Sequence, residues 1–183
     1  MQIGIKTDKM AYIDIEIDKL THSIENVVTG DSFPTEILPL SKPDLIHLTQ
    51  KNGWKFDWKQ EYLQSDRDVF KLTIFGNPTI IHGLISIAQK QGYLEMYLIE
   101  SAPFNYGKNK MNYGVPANLV AFACKRSFDI GFKGFVAFTA KTALMEHYIK
   151  TLGAVPIGGQ RMAIGDKQAL ELIKRYFNDN KNE

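Results

Sequence analysis

The 183-residue chain has one cysteine, Cys124, and four scattered histidines. A single cysteine excludes an intrachain disulfide and a cysteine-rich metal site. The histidines show no ligand spacing such as H-x-x-x-H, which argues against a structural zinc site and against a metal hydrolase. We therefore expect no bound metal.

The chain also lacks long apolar runs and blocks of one charge. No window reaches the ~20 apolar residues of a membrane span, and residues 1–6 do not have the apolar stretch of a signal peptide. The 22 lysines and arginines balance 20 aspartates and glutamates without a basic run, which argues against a nucleic-acid partner. We expect a cytoplasmic protein with no membrane partner.

What the sequence does contain is typical of an ordered domain. Hydrophobic residues make up 44% of the chain and charged residues 23%, close to the average for soluble globular proteins. A chain of this length can bury roughly 70% of its unfolded surface. Because there is no repeat and no interdomain linker, we predict one domain over residues 1–183.

Residues 12–18 alternate strictly between apolar and acidic side chains. Ile13, Ile15 and Ile17 fall on one face, and the acidic residues Asp14, Glu16 and Asp18 fall on the other. This period predicts an exposed edge or outer strand with a solvated acidic face. The alternative is that the acidic face binds a cationic substrate.

Two further features precede the middle of the chain. Ser41 and Pro43 mark the start of a helix that should run to about Asn52. An aromatic cluster then follows, which we interpret as core, with a wall of an acceptor-binding pocket as the alternative. Its members are Trp54, Phe56, Trp58 and Tyr62.

Glycine and proline residues mark the ends of most of the remaining predicted elements. Three consecutive antiparallel strands are predicted at residues 69–75, 80–88 and 93–99. A buried helix should begin at Pro116 and end at Gly131. A short buried strand (135–138), a helix closed by Gly153 (142–152) and an amphipathic last helix (166–177) complete the order.

The turn at Gly114 is a candidate anion site. A glycine turn that feeds a helix N-terminus gathers unpaired N–H groups and the positive end of the helix dipole, which suits a phosphate or pyrophosphate. Lys108 and Lys110 precede it and could pair with phosphates as flexible point charges. The alternatives are an ordinary tight turn and solvated loop lysines.

This order of elements resembles the GNAT superfamily of acyl-CoA-dependent N-acetyltransferases, most closely over residues 69–164. The resemblance implies an α+β fold with a mixed, mostly antiparallel twisted sheet flanked by helices. It also implies acetyl-CoA as co-substrate, with residues 1–68 on the acceptor side, residues 69–164 as the coenzyme A core and residues 166–177 as a C-terminal helix.

The same resemblance implies positions that bind coenzyme A. The loop of form Q/R-x-x-G-x-G/A, which binds the pyrophosphate through backbone amides, matches Met111-Asn112-Tyr113-Gly114-Val115-Pro116, with Ala117 following. Met111 and Pro116 depart from the residues usual in that pattern. The strand that pairs with the pantetheine arm matches residues 97–101. Further positions implied for the cofactor are Leu98, Ile99, Ser101 and Thr139.

Three residues are candidates for catalysis. The resemblance implies that Tyr148, shortly before Leu152-Gly153-Ala154, protonates the departing thiolate. Glu95 or Glu100 could take a proton from the attacking amine, but a regular strand places them on opposite faces unless a bulge intervenes. A core tyrosine and surface glutamates are the alternatives.

These observations lead to two functional hypotheses. The first is an N-acetyltransferase that moves an acetyl group directly from acetyl-CoA to an amine, on a small molecule or a protein. The second, motivated by Met111 and Pro116, is a catalytically degenerate GNAT-like module with a binding or regulatory role. The acceptor is not predicted, and a homodimer is left open.

Overall fold

A computed structural model of the chain describes residues 11–21 and 23–177. Within these residues the chain forms ten strands and four α-helices. The strands are β1 (Ile24–Asn26), β2 (Ser32–Phe33), β3 (Thr35–Pro39), β4 (Asp68–Ile74), β5 (Gly83–Gln89), β6 (Leu94–Ser101), β7 (Asn112–Tyr113), β8 (Val136–Thr139), β9 (Val155–Gly158) and β10 (Arg161–Ile164). The α-helices are α1 (Trp58–Tyr62), α2 (Val115–Asp129), α3 (Met145–Leu152) and α4 (Asp166–Phe177).

Seven of the strands form one sheet in the order β3-β4-β5-β6-β8-β10-β9. Its neighbours pair antiparallel except β6 and β8, which are parallel because α2 crosses between them. A small second sheet, in the order β2-β1-β7, lies next to the start of α2. The prediction of a mixed, mostly antiparallel sheet flanked by helices is confirmed.

The large sheet separates two hydrophobic clusters. Adjacent residues of a strand point to opposite faces, and accordingly Leu84 packs in one cluster and Ile85 in the other. The larger cluster contains the apolar residues of α2, including Leu119 and Cys124, which confirms the predicted buried helix and shows that the cysteine is a core residue. The smaller cluster contains Trp54 and Trp58, so the aromatic residues there are largely core.

Most predicted elements agree with the observed ones, and the three consecutive strands are β4, β5 and β6. The predicted helix from Ser41 to Asn52 is wrong as a single element, since two short 3-10 helices, Lys42–His47 and Gln50–Asn52, take its place. Thr49 causes the break. Its backbone is extended, and its side chain accepts a hydrogen bond from the N–H of Asn52, so it caps a second helical turn.

Residues 12–18 do not form the predicted edge strand. Ile13 makes one isolated parallel bridge to Ala140, just beyond the end of β8. The alternation itself is real, because Ile13, Ile15 and Ile17 are buried in the larger cluster while Asp14 and Glu16 are exposed. The segment lies inside the fold, against the middle of the large sheet.

None of the helices within residues 11–21 and 23–177 is both long and apolar enough to cross a membrane.

Candidate functional site

The parallel strands β6 and β8 separate after a short pairing. Their register covers only Leu94–Met96 of β6 and Val136–Phe138 of β8. Beyond Met96, β6 continues to Ser101 while paired with β5 on its other side. Diverging parallel strands leave an opening in the middle of the sheet, at the carboxyl ends where open α/β sheets commonly bind ligands.

Residues 12–18, which we call the strap, run through this opening. The N–H of Ile13 donates to the carbonyl oxygen of Thr139 at 2.8 Å, and the N–H of Lys141 donates to the carbonyl oxygen of Ile13 at 3.1 Å. The strap therefore extends the hydrogen bonding of β8 where β6 has moved away. From there it runs to the start of α2.

The loop that the sequence predicts to bind an anion contacts a carboxylate of the strap. The N–H of Gly114 donates to Asp18 Oδ1 at 3.1 Å, and Lys110 Nζ donates to Asp18 Oδ2 at 2.9 Å. Gly114 has a φ of 93°, and a Cβ there would collide with Thr21, so only glycine suits this position. The loop thus has the donors and the conformation that an anion requires.

The other loop positions have different environments. The N–H of Met111 donates to the carbonyl oxygen of Phe104 at 2.8 Å, and Asn112 and Tyr113 form β7, which pairs with β1. Pro116 lines the opening, whereas Val115 and Ala117 have buried side chains in the first turn of α2. Lys108 is exposed, and the structure gives it no contact with the Asp18 carboxylate.

Tyr148 lies on α3 and is fully buried beneath the strap. Its hydroxyl group donates to the carbonyl oxygen of Ile15 at 2.7 Å and accepts a hydrogen bond from the N–H of Ile15 at 3.2 Å. Burial raises the pKa of this phenol, so it remains protonated at neutral pH and keeps a proton to donate. The strap holds the hydroxyl group that the sequence predicts to be an acid.

Glu95 forms a bidentate ion pair with Arg161 on β10. Arg161 Nη2 donates to Glu95 Oε2 at 2.8 Å, and Arg161 Nη1 donates to Glu95 Oε1. Nη1 also donates to Thr139 Oγ1 at 3.2 Å. The arrangement ties the side chains of Glu95 and Thr139 to one guanidinium across three neighbouring strands.

Glu100 serves as an acceptor for the loop that carries the aromatic cluster. Trp58 Nε1 donates to Glu100 Oε2 at 2.6 Å, and the N–H groups of Lys55 and Phe56 donate to the two carboxylate oxygens. The side chain is buried, with three donors directed at it. In this conformation the carboxylate fastens residues 55–58 to the sheet.

Of the cavities that border the strap within the described residues, two are large. One, of about 590 Å³, lies towards α2 and is lined by Asp18, Lys110 and Pro116. The other, of about 840 Å³, lies on the side of the aromatic cluster and is lined by Phe56, Glu95 and Arg161. Asp14 borders both, so the strap forms the boundary between them. Phe56 thus also supports the alternative in which the aromatic cluster contributes to a pocket wall.

Sequence reasoning missed two residues of this site. Asp18 belongs to the acidic alternation, but nothing in the local pattern says that its carboxylate turns towards Gly114. Arg161 has no motif around it, and its partner Glu95 is 66 positions away in the chain. Because a buried carboxylate needs a cationic or N–H partner, a partner for Glu95 is expected, but the sequence does not show which residue it is.

The strand order, the single parallel pair that opens after three residues, and the glycine turn before the crossover helix define the GNAT acetyltransferase fold. Solved structures with this fold match the chain. The spermidine/spermine N-acetyltransferase SpeG from Vibrio cholerae, in mutant forms, is 15% identical, with a TM-score of 0.51 over 75% of this chain and 96% of that one. A dodecameric structure of spermidine N-acetyltransferase from Vibrio cholerae in an intermediate state is 16% identical, with a TM-score of 0.51 over 74% and 96%.

No protein-family model matches the sequence, and no curated protein matches it. At 15% and 16% sequence identity, the similarity to the solved structures shows a shared fold. It agrees with the resemblance found in the sequence, which was strongest between the central strands and β10.

Proposed function

We propose that this chain is an acetyl-CoA-dependent N-acetyltransferase that transfers the acetyl group directly to an amine. The observation that carries the proposal is the anion loop: within a GNAT fold, the N–H of Gly114 and the ammonium group of Lys110 converge on one anionic group at 3.1 and 2.9 Å. In this conformation that group is the Asp18 carboxylate. The same donors suit a pyrophosphate.

Several groups of the chain would hold coenzyme A at this opening. The amides of Gly114, Val115 and Ala117 and the side chain of Lys110 would bind the pyrophosphate, while Pro116 contributes no N–H. The backbone of β6 from Leu98 to Ser101 would bind the pantetheine arm. Bound acetyl-CoA supplies an acyl group activated as a thioester.

The remaining roles fall to side chains on either side of the opening. Tyr148 would donate its proton to the departing thiolate, a role that its protonated state permits. Glu95 is the better candidate for accepting a proton from the amine, directly or through water, because it lines the larger cavity. Glu100 is the poorer one, since three N–H donors already use its oxygens.

The acceptor class is left as an amine. The SpeG structures come from enzymes described as acting on spermidine or spermine, so polyamines belong in any panel of acceptors. The larger cavity contains carboxylates, but Arg161 neutralises Glu95 and Arg67 pairs with Glu61 at 2.7 Å. Its lining therefore does not by itself select a polycation, and small-molecule and protein amines should both be tested.

A second candidate is a GNAT-like module without transfer activity. The observation that favours it is that the strap fills the opening, with Tyr148 buried and bonded to Ile15. In this form the protein would keep the fold and use its surface to bind a partner.

Calorimetry with coenzyme A and acetyl-CoA tests the proposal. We expect binding at millimolar ligand or below, and release of free thiol from acetyl-CoA when a suitable amine is added. Lys110→Met should weaken binding, while Lys133→Met, an exposed lysine beyond α2, should leave it unchanged. Binding of neither ligand, also after release of the strap, would favour the inactive module.

A further inference from the structure

We infer that the strap, residues 12–18, is an autoinhibitory segment that occupies the coenzyme A site of its own domain. The inference rests on the proposed function, because it assigns a regulator to that same site. It follows from what the strap contacts along its length: an anion loop, the free edge beyond β8, and the hydroxyl group of Tyr148.

At one end the strap presents a negative charge where the pyrophosphate is expected. Asp18 Oδ1 accepts from Gly114 N–H, and Asp18 Oδ2 accepts from Lys110 Nζ. Both carboxylate oxygens are thus used by the donors assigned to the cofactor. A ligand phosphate and the Asp18 carboxylate cannot bind these donors together.

In the middle the strap uses backbone groups as an extended ligand would. Ile13 exchanges hydrogen bonds with Thr139 and Lys141, and the N–H of Ile17 donates to His147 Nε2 at 2.8 Å. Ile15 takes both the donor and the acceptor capacity of the Tyr148 hydroxyl. The group proposed to protonate the thiolate is therefore engaged whenever the strap is in place.

The acidic side chains of the strap line the cavity next to α2, whereas its isoleucines are buried. Asp14, Glu16 and Asp18 place three negative charges along it, beside the site of an anionic cofactor. Only the three isoleucines enter the core. Displacement would thus expose a short apolar face and remove three charges that repel the ligand phosphates.

If coenzyme A binds only molecules with an open strap, the observed affinity equals the intrinsic affinity multiplied by the open fraction. A variant that loosens the strap without changing a residue proposed to contact coenzyme A must then bind more tightly. Asp18→Asn is such a variant, because the amide keeps the size of the side chain and loses the charge that pairs with Lys110.

The test is calorimetry of coenzyme A with the full chain and its Asp18→Asn variant. We expect the variant to bind about tenfold more tightly, as for a strap that is open in roughly a tenth of the molecules. Glu16→Gln is the matched control. It removes an exposed charge from the same strap but no contact with Gly114 or Lys110, and one screened charge changes affinity by a factor of about two.

Hydrogen exchange on the unmodified chain gives an independent readout that needs no variant. The amides of Ile13, Ile15 and Ile17 donate within the closed form and should be protected. Addition of coenzyme A should speed their exchange, because the strap leaves. The amides of β5, in the centre of the sheet, should not change.

The outcomes separate the two proposals. Tighter binding by Asp18→Asn, or faster exchange of the strap amides on adding coenzyme A, supports both. Binding of coenzyme A with unchanged or slower exchange, together with weaker binding by Asp18→Asn, overturns the autoinhibitory strap and leaves the transferase standing. Absence of binding in the full chain and in Asp18→Asn overturns the transferase and the strap with it.

Discussion

Glu95 and Glu100 lie on the same face of β6, although they are five positions apart. Ser86 of β5 opposes Leu98 and its neighbour Ile87 opposes Met96, so Tyr97 is an extra residue that bulges out of the ladder. The bulge shifts the alternation of side chains between the two faces of the sheet by one residue. Met96 and Ile99 accordingly both pack in the larger cluster, and Leu98 packs in the smaller one. Both carboxylates consequently face the side of the aromatic cluster.

The first prediction concerns Glu100. Glu100→Gln should lower the free energy of unfolding by about 3 kcal/mol, because the amide loses the charge and turns a donor towards N–H groups that need an acceptor. Urea denaturation measures the change. Glu171→Gln, on the exposed face of α4, should stay within about 0.5 kcal/mol of the native chain. Equal stability of the two variants would contradict the fastening role of Glu100.

The second prediction concerns the ion pair between Glu95 and Arg161. Arg161→Leu should lower the free energy of unfolding by about 2 kcal/mol, because it leaves the buried Glu95 carboxylate without its cation. The double variant Glu95→Leu and Arg161→Leu should recover part of the loss, since no unpaired charge remains. Thermal or urea unfolding of the two single variants and the double variant completes the cycle. A strictly additive result would mean that the pair contributes no coupling.

The third prediction concerns catalysis by Tyr148. Tyr148→Phe should lower turnover by about 10²-fold or more, the range of a lost general acid. Coenzyme A should bind up to about fivefold more tightly, since the strap loses hydrogen bonds worth about 1 kcal/mol. Steady-state kinetics and calorimetry separate the two effects, with Tyr93→Phe as control. An unchanged rate would remove Tyr148 from the mechanism.

The fourth prediction concerns the pH dependence of stability. Burial lowers the pKa of His82 from 6.5 to about 4, and its Nδ1 lies 3.0 Å from Asn105 Nδ2, which places an acceptor there. Between these pH values the unfolded chain binds a proton that the native chain does not. Neutral His82 therefore makes its full contribution to the free energy of unfolding above pH 6.5. This contribution, up to about 3 kcal/mol, is lost as the pH falls towards 4.

His82→Asn tests this dependence, because the amide oxygen can replace Nδ1 as an acceptor and does not titrate. Urea denaturation from pH 4 to 7 should give a flatter curve for this variant than for the native chain. His47→Asn, at an exposed position, should leave the curve unchanged. Parallel curves for all three proteins would show that His82 does not titrate as expected.

The fifth prediction concerns Cys124. Burial raises the pKa of its thiol to about 12, so at pH 8 only about one molecule in 10⁴ carries the reactive thiolate. An aromatic disulfide reagent should leave the folded protein unmodified for hours and label one thiol per chain after denaturation. Rapid labelling of the native protein would place Cys124 at an accessible site.

Sequence reasoning predicts the elements of the core well. Gly131 and Gly153 both have positive φ at helix ends, as the sequence predicts, and α2 is apolar nearly all round because it packs between the sheet and α4. Steric demands of glycine and proline act within a few residues and can be read locally. The sequence did not predict the break at Thr49, because a single side-chain hydrogen bond, from the N–H of Asn52 to Thr49, distinguishes a second helix start from a continuing helix.

For the candidate site, the sequence indicates the loop at Gly114 and the tyrosine at position 148, while the roles of both remain predictions. It could not indicate what lies against them. The alternation in residues 12–18 specifies a buried face, but two-residue periodicity is the same at a sheet edge and in the opening between β6 and β8. The partner is decided by long-range packing.

By itself, the sequence determined the order of the central elements from β4 to α4, the ends of α2 and α3, and the apolar faces, because each depends on propensity and steric limits within one element. The tertiary structure alone decided that Tyr97 bulges, that Arg161 meets Glu95, and that the strap brings Asp18 to Gly114. These depend on which groups meet when distant segments pack and buried charges find partners. The glycine loop is a local property, whereas its present ligand is a property of the fold.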